Sequence, residues 1–149
     1  MNASMFLLLN LALAFYDVGA VWANEVDIFR SWKLLDADTF HRVQTVHWRK
    51  LRYWVLAPVA VTLAGSIALI WYHPAGSPGW AIWGGLACQL TAHALTAAFW
   101  GPWQAKLSKD DRGATSPYLE KILSTHWIRT LLISAYGVIL LAWAIRELA

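Results

Sequence analysis

The sequence is short of charge. Only 14% of its residues are Asp, Glu, Lys or Arg, against roughly 25% in an ordinary soluble domain. No Lys or Arg precedes Arg30, and none falls between Arg52 and Lys106. There is one cysteine, Cys88, so no disulfide can form within the chain. Set inside an apolar stretch, Cys88 reads as a packing thiol. What remains is apolar: 58% of the residues are hydrophobic, and eleven are Trp. A soluble core built from 149 residues could not hide that much apolar surface. The expected solvent is lipid, and the length fits one domain over 1–149.

The few charges are not scattered. Arg30, Lys33, Arg42, Arg49, Lys50 and Arg52 form one basic cluster. Lys106, Lys109, Arg112, Lys121 and Arg129 form a second, and only Arg146 lies elsewhere. Both clusters sit at the ends of apolar segments, which excludes a nucleic-acid face. A bilayer core of about 30 Å needs about 20 apolar residues in a helix. Four segments qualify, near 5–30, 46–72, 80–103 and 119–145. The turn HPAGSPG at 73–79 parts the second from the third, and SKDDRGATSP at 108–117 parts the third from the fourth. SWKLLDADTF at 31–40 joins the first to the second, with Asp36 or Asp38 as the helix cap. The expected fold is all-α: an integral membrane four-helix bundle.

Lys and Arg stay on the cytoplasmic side. Both clusters border the 1–2 and 3–4 connections, so those loops are expected in the cytoplasm and both termini outside, as in a bacterial inner membrane. AVWANE at 20–25 resembles a signal-peptide cleavage site after Ala23. Against cleavage stand an N-terminus without Lys or Arg and Asp17 interrupting the apolar run.

Ionisable groups inside a span are costly and usually functional. The first span carries Asn10, Asp17 and Asn24 at a spacing of seven, one stripe, with Glu25 beside it. The third carries Gln89, His93, Thr96 and Trp100 on one face, roughly continued by Gln104. The second brings His47 and the fourth His126. Counted at 1.5 Å per residue, Glu25, His47, His93 and His126 lie roughly 9–20 Å in from one membrane face. Four helices can turn them toward a common point.

Two fragments nearly repeat, TVHWRK at 45–50 and STHWIR at 124–129, and Glu25–His47 and Gln104–His126 share one spacing. The two helical hairpins therefore read as diverged copies that aim both histidines at one central site. Three imidazoles and a carboxylate suit a divalent transition metal, iron or copper first and zinc next. In that reading Glu25, His47, His93 and His126 are the ligands, and Gln104 and Arg129 orient substrate or oxygen. Without a metal, His126 and Glu25 act as acid and base. Asp17, Asn24, Trp48, Trp100, Trp103 and Trp127 are the expected pocket for a hydrophobic small molecule, while Trp71, Trp80 and Trp83 suit an interfacial belt. His41 and His73 read as interfacial polar residues. Two rivals stand beside an oxidoreductase. One is a b-type haem protein with His93 and His126 as axial pair. The other is a non-catalytic membrane subunit or scaffold held by its polar stripe. Membrane lipid is the one certain neighbour, and a homo-oligomer is admitted.

TAAFWGPWQAKL at 96–107 and YLEKILSTHWIRTLLISAYG at 118–137 resemble the small four-helix membrane family that includes anthrone oxygenases. Pro102, Trp103, Gln104 and Leu107 match its Pro-apolar-Asn…Leu motif, with Gln in place of Asn. Arg129 and Thr130 match its Arg-Thr pair, and Gly19, Glu25 and Phe29 a weaker pattern in the first helix. The resemblance implies oxygen-dependent oxidation of a hydrophobic, often aromatic substrate at the membrane, without a cofactor. It agrees with the histidines on an oxidative membrane pocket and differs from them over the metal.

Overall fold

The computed structural model describes residues 2–148. Four long helices account for nearly all of them, and no strand occurs among the described residues. The first helix runs over Ala3–Leu34 and the second over Ala37–Ala68. The third covers 79–107, and the fourth is Pro117–Leu148. The first, second and fourth are long and apolar enough to cross a membrane. The third is as long but less apolar, because Gln89, His93 and Gln104 interrupt it.

The second helix starts earlier than hydropathy suggests. Asp36 caps it, its Oδ1 accepting from the Thr39 amide at 3.0 Å. The first helix continues to Leu34, so the expected 31–40 connection shrinks to Leu35 and Asp36. The apolar run begins only at Val46, while the cap expected at Asp36 or Asp38 marks the observed start, with Asp36 in that role. At about 1.5 Å per residue a helix of 32 residues reaches about 48 Å, well beyond a bilayer core of about 30 Å.

The fourth helix packs along the first and the third, and the second packs along the same two on the other side. Three packed layers follow down the bundle. Leu7, Leu69, Tyr136 and Trp143 fill the end near the termini. Val21, Ala92 and Ile133 fill the middle. Phe29, Trp32, Phe40, Leu107, Leu119 and Ile122 fill the end that carries the basic clusters, joining all four helices where they project.

Three helices widen locally into a π turn, at Asn24–Ile28, Arg52–Leu56 and Thr96–Trp100. Two have a plain cause. Pro58 and Pro102 lie just beyond the second and third of these turns, and proline removes a ladder hydrogen bond and crowds the carbonyl four residues back. For Pro58 that carbonyl is Trp54, and the Tyr16 hydroxyl donates to it at 2.8 Å. Gly101 closes the third, where a Cβ would lie 3.0 Å from the Thr96 carbonyl oxygen.

Candidate functional site

The π turn of the first helix carries Glu25 into the bundle. Its Oε2 accepts from His126 Nδ1 at 2.9 Å. Its Oε1 accepts from Arg30 Nη2 at 2.8 Å, and Arg30 Nε donates to the Glu25 carbonyl at 3.0 Å. Glu25 and Arg30 are five apart, about 140° around a regular α-helix; the wider turn between them closes that gap. An ionised carboxylate only accepts, so the proton of the neutral ring sits on Nδ1. Nε2 then holds a lone pair, and it is buried without a partner. The ring is held edge-to-face by Phe29 at 4.9 Å and Trp100 at 6.0 Å. This is a buried carboxylate–imidazole dyad with one free basic nitrogen.

The other two histidines stand apart from it. His93 Nδ1 donates to the Gln89 carbonyl at 2.7 Å, which leaves its Nε2 as the free nitrogen, also buried and unpartnered. His47 lies in an aromatic cage, with Trp32 at 5.0 Å, Trp54 at 6.0 Å and Phe29 at 6.2 Å. Phe29 therefore touches both the His47 and the His126 rings. Among the described residues no three of His, Cys, Asp or Glu gather where a metal could bind them. The expected set of Glu25, His47, His93 and His126 fits a metal in only one respect, the free Nε2 on each imidazole.

One turn along the fourth helix from the dyad is a cavity of about 80 Å³ between all four helices. Asp17, His93, Thr96 and Arg129 supply its polar wall, and Val21, Val55 and Ile133 belong to its apolar one. Both Asp17 carboxylate oxygens lack a hydrogen-bond partner, with Thr62, His93 and Arg129 as the polar groups around them. The Arg129 guanidinium forms no ion pair among the described residues. Such a space holds a few waters or a diatomic gas. It is well below the roughly 300–1,000 Å³ that encloses a cofactor-sized ligand, a porphyrin included.

The remaining expected pocket residues divide. Asn10, Asp17 and Asn24 are buried as one stripe, yet Asn10 and Asn24 bond back to Phe6 and Ala20 of their own helix. Gln104 is buried away from the cavity with Oε1 unpartnered. Trp100 packs on the dyad. Trp103 is half-buried, and Trp48 and Trp127 are exposed. Arg30, Phe29 and Trp32 shape the site without having been singled out for it. The Gly-Pro and Ala-Pro steps at 101–102 and 57–58 were the available signals for two of the π turns; the turn at Asn24 has none of that kind.

Comparison with family models, with curated proteins and with solved structures finds no match to this chain.

Proposed function

We propose that the chain is an integral membrane oxidoreductase, an oxygenase in which His126 and Glu25 supply the base. The observation that carries this is the His126 ring, buried, held through Nδ1 at 2.9 Å by a carboxylate, and unpartnered at Nε2. In that tautomer Nε2 takes a proton, and Glu25 stabilises the imidazolium that results. The substrate class that suits it is a hydrophobic, aromatic molecule with an acidic C–H, reaching the site from the bilayer. Loss of that proton gives a carbanion. Dioxygen adds to the carbon, and collapse of the peroxide gives a carbonyl and water, so a CH₂ and O₂ become C=O and H₂O.

The central cavity suits the oxygen. A larger substrate reaches His126 by displacement of the second helix, whose most apolar stretch is the least buried of the three. The three apolar helices support a membrane protein, and the basic residues at one end support cytoplasmic loops with both termini outside. The equal spacing of Glu25–His47 and Gln104–His126 supports the hairpins as diverged copies. The likeness to anthrone oxygenases supports the cofactor-free route.

The test is oxygen uptake by detergent-purified protein with an anthrone as probe. His126→Gln and Glu25→Gln are expected to lose on the order of 10²–10⁴ in rate, and a chelator to leave it unchanged. A folded His126→Gln protein with the wild-type rate would sink the assignment.

A further inference from the structure

The outer face between the third and fourth helices carries an apolar groove of about 230 Å³, lined by Leu95, Phe99, Trp100, Trp103, Thr125 and Ile128. Its polar atoms are turned inward and satisfied: Trp100 Nε1 donates to Thr125 Oγ1 at 3.0 Å, and that hydroxyl donates to the Lys121 carbonyl at 2.7 Å. What the groove offers outward is hydrocarbon and ring edge. It ends at the cytoplasmic-loop side in positive charge. Lys121 lies 5.9 Å from the Trp103 ring centre and 5.8 Å from that of Tyr118. Lys106, from the other helix, lies 5.6 Å from the same Tyr118 ring.

Two lysines from separate helices thus converge on one aromatic ring, and neither forms an ion pair among the described residues. Arg112 nearby is occupied by Asp110 at 2.8 Å. Lys106 and Lys109 line one open corner with Tyr118, Arg112, Asp110 and Asp111. Like charges held together at an exposed corner repel unless an anion sits between them.

We infer that this face is a binding site for an anionic phospholipid, with an acyl chain along the groove and the phosphate between Lys106 and Lys121. The groove alone would take any lipid tail. The lysine pair at its end selects the headgroup, as basic pockets between spanning helices do. It lies on the outer face of the third and fourth helices, and Trp100 is the one residue it shares with the dyad's surroundings.

The full-length chain is reconstituted in vesicles of phosphatidylcholine and phosphatidylglycerol, extracted gently, and the retained lipid is identified by native mass spectrometry. Wild type is expected to retain phosphatidylglycerol in preference. Lys106→Ala/Lys121→Ala is expected to lower that preference on the order of tenfold, Lys106→Arg/Lys121→Arg to keep it, and Lys50→Ala to leave it unchanged. Equal retention by wild type and the double alanine variant overturns the proposal. So does a loss of the same size in Lys50→Ala, which would make the preference one of bulk charge. Displacement of the lipid by soluble glycerol phosphate as readily as by phosphatidylglycerol also overturns it, because the groove would then contribute nothing.

Discussion

Glu25 and His126 are 101 residues apart in sequence, and their side chains meet at 2.9 Å in the bundle interior. The contact fixes the imidazole tautomer and ties the first helix to the fourth. Removing Glu25 leaves His126 Nδ1 buried and unpaired, at a cost of about 1–3 kcal/mol, while removing His126 leaves Glu25 held by Arg30 alone. Replacing both with apolar groups leaves nothing unpaired. Glu25→Leu and His126→Phe are therefore each expected to destabilise more than the double variant does, relative to additivity. Cys88, half-buried and the one thiol, provides the readout, since its labelling rate by a maleimide dye follows unfolding in detergent. Strict additivity would show that the pair is not coupled.

Gly65 sits where the second helix crosses the first. A Cβ placed on it would lie 1.8 Å from Asn10 Oδ1 and 2.8 Å from its Cγ. Asn10 is buried and anchored, its Nδ2 donating to the Phe6 carbonyl at 2.9 Å. Moving that side chain aside breaks its bond to Phe6, so Gly65→Ala is expected to strain the helix contact at about 1–3 kcal/mol. Asn10→Ala in the same chain removes the obstructing amide. The double variant should recover part of the loss in thermal unfolding followed by Cys88 labelling. No recovery would place the strain elsewhere.

Helix positions were legible because apolar runs of spanning length are hard to hide, and because Asp36 and the Pro-Gly turn at 73–79 are strong boundary signals. The amphipathic start of the second helix showed in its cap and not in its hydropathy, since the apolar run begins at Val46 while the chain coils from Ala37 behind Asp36. Phe40 in that stretch is buried against Trp32 and Leu119 rather than lipid. The same aromatic layer explains the site. Spacing put Glu25 and His126 at one depth, and they meet. It put His47 at that depth too, but depth says nothing about what lies between, and the cage of Phe29, Trp32 and Trp54 holds His47 apart. Arg30 was hidden by arithmetic. A regular helix turns it away from Glu25, and only the π turn at Asn24–Ile28 brings the two together.

Asp17 and Arg129 face one cavity from the first and fourth helices and form no ion pair. They share the wall of that cavity without a direct bond between them. Asp17→Asn removes the compensating charge from a guanidinium in an apolar surround, and Arg129→Gln does the converse. Each is expected to cost about 1–3 kcal/mol, and the double variant to cost less than their sum by about 0.5–3 kcal/mol. Melting temperatures of the three variants in one detergent check this. A sum that is merely additive would mean that the two charges do not sense each other across the cavity.

Asp110 organises the connection between the third and fourth helices, outside the spanning segments. Its Oδ1 accepts from Arg112 Nε at 2.8 Å and from the Arg112 amide at 3.2 Å. Its Oδ2 accepts from Arg112 Nη2 at 2.8 Å and from the Ser116 hydroxyl at 2.6 Å. Ser116 Oγ in turn accepts from the Tyr118 amide in the first turn of the fourth helix at 3.2 Å. These donors, Arg112 first and Ser116 next, hold the Asp110 carboxyl well below its ordinary value of 3.8. A depressed folded value means that the ordering contributed by the carboxylate is fully present above the ordinary range. It is lost only as pH falls through the lower, folded value. Hydrogen exchange across 108–119 should therefore stay slow at about pH 5 and quicken only in stronger acid. Asp110→Asn should exchange faster than wild type at about pH 5 and above, because the amide keeps neither the charge nor both acceptor oxygens, and the difference should close in stronger acid. Wild-type protection that already fails near pH 5 would show that some other group governs this connection.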